Sequence, residues 1–314
     1  VSFEGFTAKW YDNKDFTGNP VTGEPETGKT YYVQWTKGRT TGSCGATGNE
    51  DNVSWTLAYE GNDEFTLSIT GRGAMADYKC NITRSDATQP WRESKTGVAP
   101  TAITRVVVGN GVTNIGKFAC DGLSQVKEYN IAASVETIGP WGVCGQNAEA
   151  YKLNDSTHYV TKDGVLMSAD GETLVSYPGG KDAVAEYVIP NTVKTILAGA
   201  FVGCDAKKVV IPSSVTSFPR YSFGGSTVEE IEFNANVNAL GGGAFSGLKN
   251  LNYFVFGSDT TVSVIDSAAF ANLSSLKEIT FPDTLTQLKG QSFKVLASDG
   301  ATPALEKVTF GTSM

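Results

Sequence analysis

The chain reads as an α/β, β-rich solenoid in which short strands stack into a parallel sheet and tight helical or 3₁₀ turns join them. Two observations predict this. A hydrophobic phrase recurs seven times down the C-terminal two-thirds of the chain, and each copy is bordered by a strand with alternating apolar positions. A fixed period in the twenties is the mark of a stacked repeat.

The first anchor of the phrase falls at Val112, Val135, Val193, Val215, Val237, Val262 and Leu285. Three residues later comes a second, at Ile115, Ile138, Ile196, Phe218, Leu240, Ile265 and Leu288. A small residue follows (Ala119, Gly142, Ala200, Ser222, Ala244, Ala269, Ser292), and directly after it Cys120, Val143, Phe201, Phe223, Phe245, Phe270 and Phe293. The second anchors are 23, 58, 22, 22, 25 and 23 residues apart. The small-large step is too short for a full helix and predicts a single turn. The strands carry paired anchors such as Val209/Ile211 and Ile231/Phe233, so the residue between them faces solvent. One coil cannot offset its own ordering entropy, so stability is expected to come from stacking.

Taken in order, residues 1–40 form a small β module. Its aromatic strands lie at Phe6 to Tyr11 and Tyr31 to Trp35, with turn chemistry between them at Gly18-Asn19-Pro20. Residues 41–102 read as a cap that covers the open end of the stack, filled by Trp55, Met75 and Trp91. Residues 103–314 are the repeats, interrupted at about 155–187 by an insertion that reads as a β-hairpin turning at Asp170-Gly171 and projecting from the flank. A smaller insertion runs from Ser298 to Pro303. The chain opens on Val1 inside a partial module and stops four residues after Phe310, which reads as a trimmed piece of a longer chain.

Composition narrows function. A net charge of −8 argues against a nucleic-acid backbone as partner, and no apolar run is long enough to span a bilayer. The five cysteines form no metal spacing; Cys120 and Cys204 occupy repeat slots as core filler, and Cys44 with Cys80 is open between a pair and two thiols. The only histidine, His158, stands in a loop without a motif. No nucleophile elbow, zinc-protease, P-loop or dinucleotide fingerprint is present, and Gly241-Gly242-Gly243 reads as a repeat corner. No catalytic residue, metal or cofactor is assigned, and the chain is not expected to be an enzyme.

The run Lys9 to Gly18 with Tyr31 to Trp35 resembles part of a Listeria–Bacteroides repeat, a β module of surface proteins. The segments Ile196-x-x-x-Ala200-Phe201-Val202-Gly203-Cys204, Val209-Val210-Ile211-Pro212 and Leu276-Lys277-Glu278-Ile279-Thr280-Phe281-Pro282 resemble BspA-like leucine-rich repeats. So does the cap, in Trp55-Thr56-Leu57 and Leu67 to Met75. The likeness covers about residues 42–314 and departs at Cys120 and at Gly139 to Val143. It implies a leucine-rich-repeat right-handed superhelix, bacterial, secreted or cell-surface, without catalytic residues and often adhesive.

The candidate site is therefore the outward face of the stacked strands. Its rows include Glu128, Asn130, Lys208, Glu230, Glu232, Tyr253, Glu278 and Thr280. The expected partner is a host or cell-surface protein or glycan. The competing expectation is a stiff spacer that displays another domain.

Overall fold

The computed structural model describes residues 6–22, 26–37, 40–80, 86–294 and 304–311. The Ser298 to Pro303 insertion lies outside the described residues. At the N-terminus, strands Phe6–Tyr11 and Tyr32–Lys37 pair antiparallel, with Tyr11 opposite Tyr32.

The solenoid begins as an antiparallel sheet and becomes parallel. Strands Thr41–Ser43, Val53–Gly61 and Glu64–Gly71 run antiparallel. The last then pairs parallel with Ile103–Val108, which continues to Glu128–Ala132 and Ala150–Asn154. The hairpin thus supplies a pairing edge for the first coil, and its inner face is sealed by Trp55 and Trp91, buried and edge-to-face at 6.2 Å. A second parallel sheet carries Glu186–Val188, Lys208–Ile211, Glu230–Phe233 and Tyr253–Phe256 in strict register. Glu278–Thr280 and Lys307–Thr309 form a third, two-stranded piece.

The second anchors make a ladder of their own. Short strands Val112–Ile115 and Thr137–Ile138 pair parallel, as do Ala239–Leu240, Val264–Ile265 and Gln287–Leu288. Between the two ladders lies the packed interior. Phe201, Phe223, Phe245, Phe270 and Phe293 stand in a column with successive centroids 4.7, 5.8, 5.6 and 5.3 Å apart. The small residue before each is small because it is sealed inside: Ala200, Ser222, Ala244 and Ala269 have no exposed surface. The turns close with bonds three residues back, such as Ala200 N to Leu197 O and Cys204 N to Phe201 O, which is 3₁₀ geometry.

Each turn also needs one left-handed residue, just before the small one. Phe118, Trp141, Gly199, Tyr221, Gly243, Ala268 and Gln291 fill this slot with φ between +54° and +86°. Gly199 and Gly243 take it freely, whereas each other residue accepts a cost of about 1–2 kcal/mol.

The insertion departs from expectation. The hairpin around Asp170-Gly171 forms between Val165–Ser168 and Thr173–Ser176, extended by a third strand, Tyr159–Lys162. It does not project. Thr173 and Leu174 pair parallel with Thr195 and Ile196, Tyr177 N donates to Ala200 O, and Val165, Leu166, Met167, Leu174 and Val175 are all buried. Its six apolar side chains, counting Tyr177, are worth more inside the stack than in water. The segment is one more coil, ending in strand Glu186–Val188. That coil is missing from the turn flank, where Trp141 N donates straight to Ala198 O at 3.1 Å.

Candidate functional site

The outward face divides at the insertion, so the eight sequence-predicted residues fall into separate groups. On the N-terminal sheet, Glu128 sits between two cations, Arg105 Nε at 3.4 Å and Lys152 Nζ at 2.6 Å. Register explains this: Arg105 faces Glu128 on the next strand, and Lys152 stands diagonally across on the one after. Asn130 Nδ2 donates to Glu128 Oε1 at 3.0 Å. The Lys152 hydrogen bond, with the charges of Lys152 and Arg105 behind it, holds the Glu128 carboxyl below its usual range.

On the second sheet the signs are reversed. Lys208 Nζ lies 3.3 Å from Glu186, 3.4 Å from Glu230 and 3.0 Å from Glu232. Its pKa is raised, first by the Glu232 hydrogen bond and then by Glu186 and Glu230. Glu232 is lowered, first by Asn234 Nδ2 at 3.1 Å and then by Lys208. Three carboxylates against one ammonium leave this patch acidic. Beside it stand Tyr253 and Val255, register partners of Glu230 and Glu232, and Val188; they are 64%, 50% and 53% exposed. Together these three side chains give the acidic cluster an apolar rim.

Tyr253, Glu278 and Thr280 share a different feature. Strands Tyr253–Phe256 and Glu278–Thr280 are neighbours but belong to different sheets. A groove of about 540 Å³ opens at this break, lined among others by Tyr253, Val255, Glu278, Thr280, Asp283 and Lys307. Glu278 meets Lys307 Nζ at 3.4 Å. The structure therefore joins Lys208, Glu230, Glu232 and Tyr253 with the groove residues Glu278 and Thr280. Glu128 and Asn130 lie in the other cluster.

Two members of the acidic face, Glu186 and Val188, escape the sequence reading. The signal was present in Glu186-Tyr187-Val188-Ile189, which repeats the exposed-buried alternation of Lys208-Val209-Val210-Ile211, but no small-large pair at full spacing announces it.

Cys44 is a buried thiol not joined to Cys80, its pKa pushed up to about 12 by desolvation, and the Cys80 thiol donates to Asp121 Oδ2. His158 is exposed. Among the described residues no three His, Cys, Asp or Glu side chains gather as metal ligands, and no helix is long and apolar enough to cross a membrane.

The model of the BspA type leucine rich repeat region matches six copies, over residues 69–163 and 180–297, more than half of the chain. No curated protein matches. Among solved structures, a leucine rich cell surface protein from Faecalibacterium prausnitzii is 17% identical over 82% of this chain and 93% of its own, with a TM-score of 0.53. A leucine-rich repeat protein from Eubacterium ventriosum is 18% identical over 81% of this chain and 95% of its own, with a TM-score of 0.36.

Proposed function

We propose, from the premise that the chain belongs to the BspA-type leucine-rich repeat family, that it is a non-catalytic binding module of the bacterial surface or its surroundings. Its partner is a host or cell-surface protein or glycan, met by the acidic, apolar-rimmed face of the second sheet. One observation carries the reading: Tyr253, Val188 and Val255 are held exposed on a rigid parallel sheet around the Lys208 cluster. An aromatic anchor beside oriented charges is the usual core of a protein-recognition patch. The groove beside Tyr253 adds a recess for a partner side chain.

The test is binding of the purified chain to immobilised extracellular-matrix proteins and to whole epithelial and bacterial cells. Binding that Tyr253→Ala weakens by about 2 kcal/mol supports the reading. Binding that survives Glu230→Ala, Glu232→Ala and Tyr253→Ala together removes this face from it. A chain that adheres to none of these surfaces is the stiff spacer instead.

A further inference from the structure

The left-handed slot of the turns forms a row down the flank, one residue for each coil but the insertion's, and two of its aromatic side chains lie flat on the next coil in the row. A Cβ placed on Gly199 would sit 2.8 Å from Trp141 Cδ2 and 3.0 and 3.1 Å from the bonded ring atoms Cε3 and Cε2. Near-equal distances to three bonded atoms put that point over the ring face, not its edge. Gly243 repeats the arrangement against Tyr221, nearest Cε1, with Cδ1 and Cζ at 2.7 and 2.8 Å. Each ring thus covers the left-handed glycine of the following coil with one face.

With one face of its ring against Gly243, Tyr221 is still 38% exposed; Trp141 is half-buried. Among the described residues neither ring stacks on another aromatic, unlike the interlocked core phenylalanines. One coil, that of Gly199, separates Trp141 from Tyr221, which sets them ~10 Å apart at ordinary strand spacing. Phe118 occupies the same slot one coil before Trp141, with Lys117 Nζ 5.4 Å from its ring centroid. Lys117 and Arg220, each just before a slot aromatic, are exposed.

We infer that this row is a glycan-binding platform for an extended β-linked hexopyranose chain, with Trp141 and Tyr221 stacking on the apolar C–H faces of sugar rings. The turn itself does not need aromatics here, because Gly199 and Gly243 fill the same slot without strain. A ring that reaches solvent suits a pyranose, which is flat and apolar on one side and carries its hydroxyls at the rim. The exposed Lys117 and Arg220 provide donors at that rim. A peptide side chain would need a recess, and a nucleic acid would need cationic surplus on a chain of net charge −8. This site is separate from the sheet face.

Calorimetric titration of the full chain with cellohexaose, chitohexaose and maltohexaose tests it. Expected is saturable binding of a β-linked hexamer, at least about tenfold weaker for maltohexaose and weakened about tenfold by Tyr221→Ala. Tyr221 is exposed, so its variant should keep the wild-type melting curve; Trp141→Phe, which retains a ring over Gly199, should weaken binding less than Trp141→Ala. The triple change at Glu230, Glu232 and Tyr253 should leave glycan affinity intact. No saturable binding of either β-linked hexamer, an unaltered affinity in Tyr221→Ala, or a loss that follows the sheet-face variant instead would overturn the proposal.

Discussion

The N-terminal and C-terminal coils fill the same cross-section with opposite allocations. After the insertion the turn slot is large (Phe201, Phe223, Phe245, Phe270) and the first inward strand position is Val209, Ile231 or Phe254. Before it the turn slot shrinks to Cys120 and Val143, and the strand carries Tyr129 and Tyr151, stacked at 5.8 Å. Tyr129 reaches across the space a phenylalanine would take: its hydroxyl donates to Cys144 O at 2.8 Å and accepts from Cys144 N at 3.1 Å. Charge is inverted as well, with a carboxylate between cations on one sheet and an ammonium among carboxylates on the other. What the two halves share is a filled interior, built from different side chains at different slots, while the sign of the outward charge differs between them.

Breaking the phenylalanine column should have the largest effect. Phe245→Ala is expected to cost about 3–5 kcal/mol in urea unfolding, because close-packed neighbours on both sides limit collapse into the cavity. A loss below that of an ordinary surface change would mean the column is not what binds the coils. Tyr129→Phe comes next. It keeps the ring and removes both hydrogen bonds to the Cys144 backbone, at about 1–3 kcal/mol. If it is neutral, the hydroxyl is not a structural hook and the two halves differ only in packing.

The smallest effect should be the pH response of the two faces. Glu128 and Glu232 both titrate below the ordinary carboxylate range in the folded chain. Each therefore adds stability that is complete above the unfolded value of about 4.3 and is lost as pH falls through the lower folded value. Melting temperature should decline on acidification below that point, and Glu128→Gln with Glu232→Gln should flatten the decline. Since both carboxylates reach solvent, the change is modest and shrinks with added salt. An acid limb of unchanged slope in the double variant would remove these two groups as its cause.

Much of this was legible in the chain because the repeat writes the same instruction many times. The Val–Ile–small–Phe phrase marks the column, the second ladder's anchors and the turn, and the alternation in Lys208 to Ile211 or Glu230 to Phe233 marks which side faces water. Trp55, Met75 and Trp91, read from the chain as one apolar filling, are buried in one cluster. The insertion coil was not, since its version of the phrase is compressed. Leu174 pairs with Ile196, yet Ser176 and Tyr177 follow after two residues where Ala200 and Phe201 follow after four. Losing that coil also lost Glu186 from the Lys208 cluster. The break beside Tyr253 carries no residue signature at all; it arises from how neighbouring strands are spaced, which a list of side chains does not encode.

The insertion's coil exists on the sheet side but not on the turn flank. On one side of the stack, Glu186–Val188 adds a strand that pairs with Lys208–Ile211; on the other, Trp141 bonds directly to Ala198. The sheet side therefore carries one rung, ~4.8 Å, that the turn flank lacks. The faces bearing Glu128 and Lys208 belong to separate sheets, one before and one after this added rung. A partner seated on one of them does not thereby engage the other, and whatever spans both must cross the interruption between the two ladders.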